Sequence, residues 1–234
     1  MKGFHGSVFF LSIAIAVLLS PKPSWNTKLQ ISMIQREDDP EENIHPDDSL
    51  WNRYQEINPD LKAVLVFNSG LLSLPVVQAG DNMTYLRKGF DGTYDPEGTP
   101  FLDCHDSLDD QAFLIYGHHV YYDSFSMFSP LTQLETQSGY EENHAFMLVT
   151  PSETRQYEIV SVFHIPVRPS VFDQRKSAFL TQKDYDDWIA YALGHNEIEP
   201  SEEPSYGDSF CLLQTCVRGN ENERLIVLAR RKCR

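Results

Sequence analysis

The stretch FCLLQTCVRGNENERLIVLA, residues 210–229, decides how this chain folds. Phe210 to Thr215 and Leu225 to Ala229 are short apolar runs, and Gly219-Asn220 between them is a turn signal. Two such runs around a turn form an antiparallel hairpin, which brings the end of one strand beside the start of the next. Cys216 closes the first run and Arg224 opens the second, so the two are expected to be neighbours in space. The same rhythm continues upstream. Ala63 to Phe67, Leu74 to Val77, Ala112 to Tyr116, Ala145 to Val149 and Tyr157 to Phe163 are rich in β-branched and aromatic residues, and turn residues such as Asn68-Ser69-Gly70 and Pro151-Ser152 separate the runs. Short strands at this spacing predict an all-β barrel or sandwich of about seven or eight strands.

One helix interrupts the late strands. Tyr185, Trp188, Ile189 and Ala192 recur at helical spacing and form one apolar face over Gln182 to Leu193. Thr181 stands at the N-cap, Asp184 lies in the first turn, and Gly194 is expected to stop the helix in a left-handed conformation. That apolar face either packs on the barrel or forms one wall of a binding groove. A shorter helix is expected over Asn82 to Arg87. Another is expected from Asp48-Ser49 through Leu50, Trp51, Tyr54 and Ile57.

The chain has 234 residues, 41% hydrophobic and 23% charged, which is globular composition for one domain with a tail. Its net charge of −15 argues against nucleic acid and against docking on anionic lipid through a basic patch. Val8 to Leu19 is almost wholly apolar, within an uncharged run from Gly3 to Ser20 that Pro21-Lys22-Pro23 closes. A run of about 18 residues sits between a signal-peptide core and a membrane span. It is read as an uncleaved single-pass signal anchor over residues 1–25. The alternative, a cut after Ala14-Ile15-Ala16, would bisect the apolar run. Either reading carries the domain across a membrane. Residues 26–60 form an acidic spacer with a net charge of −6, and residues 61–234 form the folded domain.

Chemistry is narrowed by the cysteines. Cys104, Cys211, Cys216 and Cys233 include no C-x-x-C pair, so a zinc ribbon or thioredoxin-type site has no support. A Cys211–Cys233 or Cys104–Cys233 bridge stays open. Cys211 lies five residues before Cys216 and should face the opposite side of the strand. A guanidinium beside the Cys216 sulfur favours thiolate and can hold an oxyanion. His118 follows the apolar strand Leu114-Ile115-Tyr116 and Gly117, and an imidazole near a nucleophilic sulfur can pass a proton to a leaving amine. Taken singly, the three have ordinary structural readings as a buried thiol, a hairpin arginine and a loop histidine. His119 points the other way in an extended strand, so a two-histidine metal site is not expected, and Asp103-Cys104-His105 alone does not supply one.

Taken together, Ile115-Tyr116-Gly117-His118, Leu212-Leu213-Gln214-Thr215-Cys216 and Arg224 resemble the signature of the sortases, membrane-anchored cysteine transpeptidases of Gram-positive bacteria. Asn58-Pro59-Asp60, Pro75-Val76-Val77-Gln78, Asp81-Asn82 with Tyr85-Leu86, Phe90-Asp91-Gly92, and Gly98 before Phe101-Leu102-Asp103 are similar to class B, as is the helix before the cysteine strand. The resemblance covers about residues 54 to 231. It departs at Leu212, where the pattern has Thr, at His119, where class B commonly has Asn, and at Ala63-Val64, in place of Gly-Trp.

The resemblance implies a closed eight-stranded β-barrel and no cofactor or metal. It implies Cys216 as nucleophile, Arg224 as oxyanion holder and His118 as acid and base. Thr215, Leu213 and His119 are its expected substrate contacts, although Thr215 also reads as a plain strand residue. The implied partners are exported proteins carrying a carboxyl-terminal sorting motif and an acceptor amine from peptidoglycan precursor or a pilin lysine. A non-catalytic peptide-binding barrel and a hydrolase using water are the rival readings.

Overall fold

The computed structural model describes residues 48–169 and 171–232. The expected signal anchor, most of the acidic spacer and Cys233 lie outside the described residues. Among the described residues, no helix is long and apolar enough to cross a membrane.

Eight strands close into a barrel in the order β1-β2-β3-β4-β7-β8-β6-β5. They are β1 (Leu61–Phe67), β2 (Ser73–Val77), β3 (Phe101–Leu102), β4 (Ala112–Tyr116), β5 (Ala145–Val149), β6 (Thr154–Pro166), β7 (Phe210–Val217) and β8 (Asn220–Arg231). The seven apolar runs are strands, and closure leaves no open sheet edge. The strand missing from the sequence reading is β3, whose two residues are too few to carry a periodic signal. β2 pairs with β3, and β4 with β7, in parallel; the other pairs are antiparallel.

Side-chain alternation sorts the barrel into an inside and an outside. One apolar cluster draws residues from all eight strands, among them Leu65, Leu74, Leu102, Phe113, Phe146, Ile159, Leu213 and Val227, and therefore fills the lumen. The alternate residues of β7, Phe210 and Leu212, face outward with Ile226 and Leu228 of β8 and meet helix α3 (Gln182–Gly194). Tyr185, Trp188, Ile189 and Ala192 are the buried face of that helix, so the periodicity marks packing on the barrel. Phe179, Trp188 and Phe210 crowd there with ring centroids 4.9 to 6.2 Å apart.

Thr181 caps α3 as expected, its hydroxyl accepting from the Asp184 N–H at 3.1 Å. Gly194 differs from expectation: it is the last helical residue and is absent from the positive-φ glycines. His195 takes the C-cap at φ −116°, and its N–H closes back on the helix carbonyls, so no left-handed residue is needed.

Helix α1 (Asp48–Ile57) forms where expected, but it belongs to the folded body. Its Trp51 is buried in a cluster with Leu61, Val64, Tyr85 and Phe90. The expected Asn82–Arg87 helix is a single 3-10 turn, Thr84–Leu86. A 3-10 segment, Ser129–Glu135, and helix α2 (Gln137–Asn143) fill the β4–β5 connection; their apolar residues are too few for the sequence to mark them.

Candidate active site

Cys216 stands at the open end of β7, with Arg224 directly across from it on β8. Both side chains lie on the outward face, beyond the part covered by α3. Past this pair the register slips, and Val217 pairs with Asn220 around a turn in which Gly219 adopts φ +77°. A positive φ is open to glycine at little cost. The looped-out residues fold back on the guanidinium: Arg224 Nη1 donates to the Glu221 and Glu223 carbonyls at 2.9 and 2.7 Å. Among the described residues, Nε and Nη2 have no hydrogen-bond partner and remain available as donors.

The neighbouring strand supplies the histidine. β4 runs parallel to β7 with Tyr116 opposite Gln214, and the Gly117 N–H extends the ladder to the Gln214 carbonyl at 3.1 Å. Two residues further in that register bring His118 level with Cys216. A β-carbon on Gly117 would lie 2.4 Å from the Phe128 ring, so only glycine lets that ring pass beneath the histidine's strand. The Phe128 N–H also donates to the His118 carbonyl at 2.9 Å.

His118 is oriented from the other wall. Its Nε2 donates to the Leu86 carbonyl at 2.9 Å, which leaves Nδ1 as the basic nitrogen of the neutral ring. The 3-10 turn that presents Leu86 is tied down by Asp81, whose Oδ1 accepts from the Met83 and Thr84 N–H groups at 2.7 Å each. Those hydrogen bonds hold the Asp81 carboxyl below its ordinary range.

Cys216, His118 and Arg224 thus line a single cleft of about 390 Å³. Asn82, Leu86, Phe101, Tyr116, Gln214 and Thr215 complete its lining. A cleft of this size suits a peptide segment, and no residue of α3 lines it. The helix is not a wall of this groove, because its apolar face is spent on the barrel.

The expected substrate contacts divide. Thr215 is among the lining residues, although it is only 2% exposed and its hydroxyl is buried without a hydrogen-bond partner among the described residues. Leu213 does not reach the cleft: it is fully buried in the lumen, because it alternates with the outward residues of β7. His119 does not line the cleft either. It is buried beside Tyr121, and burial together with the Arg218 charge holds its imidazole below the ordinary histidine range. The contact role expected of Leu213 is therefore corrected by strand alternation, and that of His119 by its burial beside Tyr121.

Gln214, Asn82 and Tyr116 line the cleft in addition to the residues that the sequence marks as contacts. Their signal lay in the matched text itself, in Asp81-Asn82, Tyr116-Gly117 and the position before Thr215. Cys211 is fully buried in the lumen, and burial pushes its thiol well above the ordinary value, so it is chemically quiet beside Cys216. Cys104, Cys211 and Cys216 are free thiols; either conjectured bridge needs Cys233, which lies outside the described residues. Ligand atoms of Asp103, Cys104 and His105 lie within 4.8 Å of one another. The Asp103 carboxylate is already occupied, accepting from Tyr116 Oη, Asn82 Nδ2 and the His105 N–H.

No protein-family model matches the chain, and no curated protein matches it by sequence. Solved structures do. Clostridium perfringens sortase B superposes with a TM-score of 0.71 at 23% identity, covering 78% of this chain and 100% of that one. Staphylococcus aureus sortase B gives 0.73 at 21% identity, over 88% of this chain and 94% of that one. Sortase B from Bacillus anthracis gives 0.69 at 20% identity, over 79% and 85%. The closed barrel, the helix before the cysteine strand and these likenesses establish that the chain has a class B sortase-like fold.

Proposed function

We propose that this protein is a cysteine transpeptidase that cleaves a sorting motif in exported proteins and transfers the acyl group to an amine. The observation that carries this reading is the convergence of Cys216, His118 and Arg224 on one peptide-sized cleft. Cys216 passes its thiol proton to His118 Nδ1, its Sγ attacks the carbonyl carbon of a Thr in the motif, and the free Nε and Nη2 donors of Arg224 stabilise the oxyanion. The C–N bond then breaks, His118 gives its proton to the departing amine, and a thioester remains on Cys216. An acceptor amine attacks that thioester, His118 takes its proton, and the C–S bond breaks to release the new amide. The acceptor is an amine of the cell-wall precursor.

Two of the similar structures support the partner classes: a Staphylococcus aureus sortase B–substrate complex and a sortase B complexed with Gly3. The anchor read from Val8 to Leu19 would hold the domain outside the cell, at the membrane where exported proteins and lipid-linked acceptors meet.

The test uses the full-length chain in detergent micelles, a library of sorting-type pentapeptides and a small amine. Mass spectrometry is expected to find a thioester on Cys216 and the aminolysed product, both lost in Cys216→Ala. Turnover retained in Cys216→Ala would overturn the reading. A wild-type chain that forms no adduct with any peptide, while Cys216 stays alkylatable, would favour the binding-only barrel.

A further inference from the structure

Behind the cleft lies a buried carboxylate that the reaction does not use. Asp103, just after β3, is fully buried. Its Oδ2 accepts from Tyr116 Oη at 2.7 Å and from Asn82 Nδ2 at 2.9 Å. Its Oδ1 accepts from the His105 N–H at 3.0 Å. The turn carrying it is anchored by Gln78, whose Nε2 donates to the Asp103 and Asp106 carbonyls at 2.8 and 2.7 Å. Tyr116 and Asn82 both line the cleft, whereas Asp103 does not.

The consequence is a fixed polarity. A carboxylate offers no donor, so the Asn82 amide must turn its nitrogen toward Asp103. The opposite end is set independently: Asn82 Oδ1 accepts from the Cys104 N–H at 2.8 Å. A flipped amide would lose both contacts. The Tyr116 hydroxyl must likewise spend its single proton on Asp103. Burial, with the Asp103 hydrogen bond and charge behind it, raises the phenol beyond the ordinary tyrosine range, so it stays a phenol at any working pH. What remains is one N–H of Asn82 as a donor, and the Asn82 Oδ1 and Tyr116 Oη lone pairs as acceptors. Donor and acceptors together match the alternating carbonyl and N–H of an extended peptide.

We propose that Asp103 is a positioning residue of the site, whose buried carboxylate sets the direction of the Asn82 amide and the Tyr116 phenol and so fixes the polar pattern that receives the backbone of the acyl-donor peptide. This rests on the transpeptidase reading. Asp103 touches neither substrate nor the reacting atoms. It acts through Asn82 and Tyr116, as outer-shell partners orient the groups that make direct contact.

The experiment is a double-mutant cycle on the full-length chain, with Asp103→Asn and Asn82→Ala made singly and together. Thioester formation on Cys216 is followed against peptide concentration. Asp103→Asn is expected to raise KM for the peptide about tenfold, the scale of one misdirected hydrogen bond to a charged group, with kcat changing far less. In the Asn82→Ala background the same substitution is expected to add much less, because the amide it orients is gone. Additive effects on KM, or a fall in kcat with KM unchanged, would overturn the inference and leave the transpeptidase reading standing. Absence of any thioester in the wild-type chain would overturn both. If Asp103→Asn does not fold, a cycle of Asn82→Ala with Tyr116→Phe replaces it. These two groups share the Asp103 carboxylate, so coupling is expected and strict additivity would refute the proposal.

Discussion

Asp106 carries a cost that the fold bears and one substitution should remove. It is 8% exposed, and its Oδ2 accepts from the Leu114 N–H at 2.8 Å. Burial, above all, pushes its carboxyl from 3.8 up to about 6; the nearby Asp103 and Asp110 charges add to this, and the Leu114 hydrogen bond works against it. The folded chain therefore keeps this proton to a higher pH than the unfolded chain does. Below the unfolded value both states are protonated, and the group costs folding nothing. Between the unfolded value and about 6 the unfolded chain ionises while the folded chain keeps its proton, so stability falls as pH rises through that window and levels off above about 6, where the folded state bears the buried charge. A shift of this size corresponds to about 3 kcal/mol of native-state cost for the ionised form. Asp106→Asn removes the charge and keeps a carbonyl oxygen for the Leu114 N–H. The variant should exceed the wild type by about 2–3 kcal/mol at pH 8, or roughly 5–10 °C in Tm for a chain of this size. The gap should close as pH falls from about 6 to about 4. Thermal melts of both full-length chains across that range measure it. A gap of constant size at every pH would refute the reasoning, because loss of packing rather than charge would then explain the difference. A wild type that is the more stable at pH 8 would refute it as well.

Gly117→Ala should act on both stability and rate. Its β-carbon would sit 2.4 Å from Phe128, a clash of the kind that costs about 1–3 kcal/mol, and relief by backbone shift displaces the adjoining His118. Thioester formation is expected to slow about 100-fold, and an unchanged rate would show that the His118 position does not depend on this contact. Arg224→Ala is expected to slow the same step by about 10²–10³, with Arg224→Lys recovering only part of it, because a lysine cannot keep two donors on the hairpin carbonyls and others on the cleft. Full activity in Arg224→Lys would reduce the guanidinium to a point charge.

Much of this architecture was legible because barrels write alternation into sequence. The seven apolar runs are seven strands, and the Phe210–Ala229 hairpin puts Cys216 opposite Arg224, as turn chemistry requires. The α3 helix announced itself through Tyr185, Trp188, Ile189 and Ala192 and through the Thr181 cap. Errors came where local pattern has no purchase. The resemblance implies Leu213 as a substrate contact, yet its place on β7 turns it into the lumen, away from the face that carries Cys216. Trp51 sits in an acidic, polar segment that reads as spacer, and only its burial against Leu61 and Phe90 shows that α1 belongs to the domain.

The chain by itself determined which residue types could perform the chemistry and which strand end each occupies, since strand periodicity and turn residues are local properties. The tertiary structure alone decided how those ends meet. Parallel pairing of β4 with β7 joins residues about a hundred positions apart, and that register, not any motif, sets His118 level with Cys216. The hold of the Leu86 carbonyl on His118, and that of Asp103 on Asn82 and Tyr116, likewise join the β2–β3 connection to residues at or beside the ends of β3 and β4. Such contacts depend on hydrogen-bond geometry between separate segments, and no periodicity within a single segment records them.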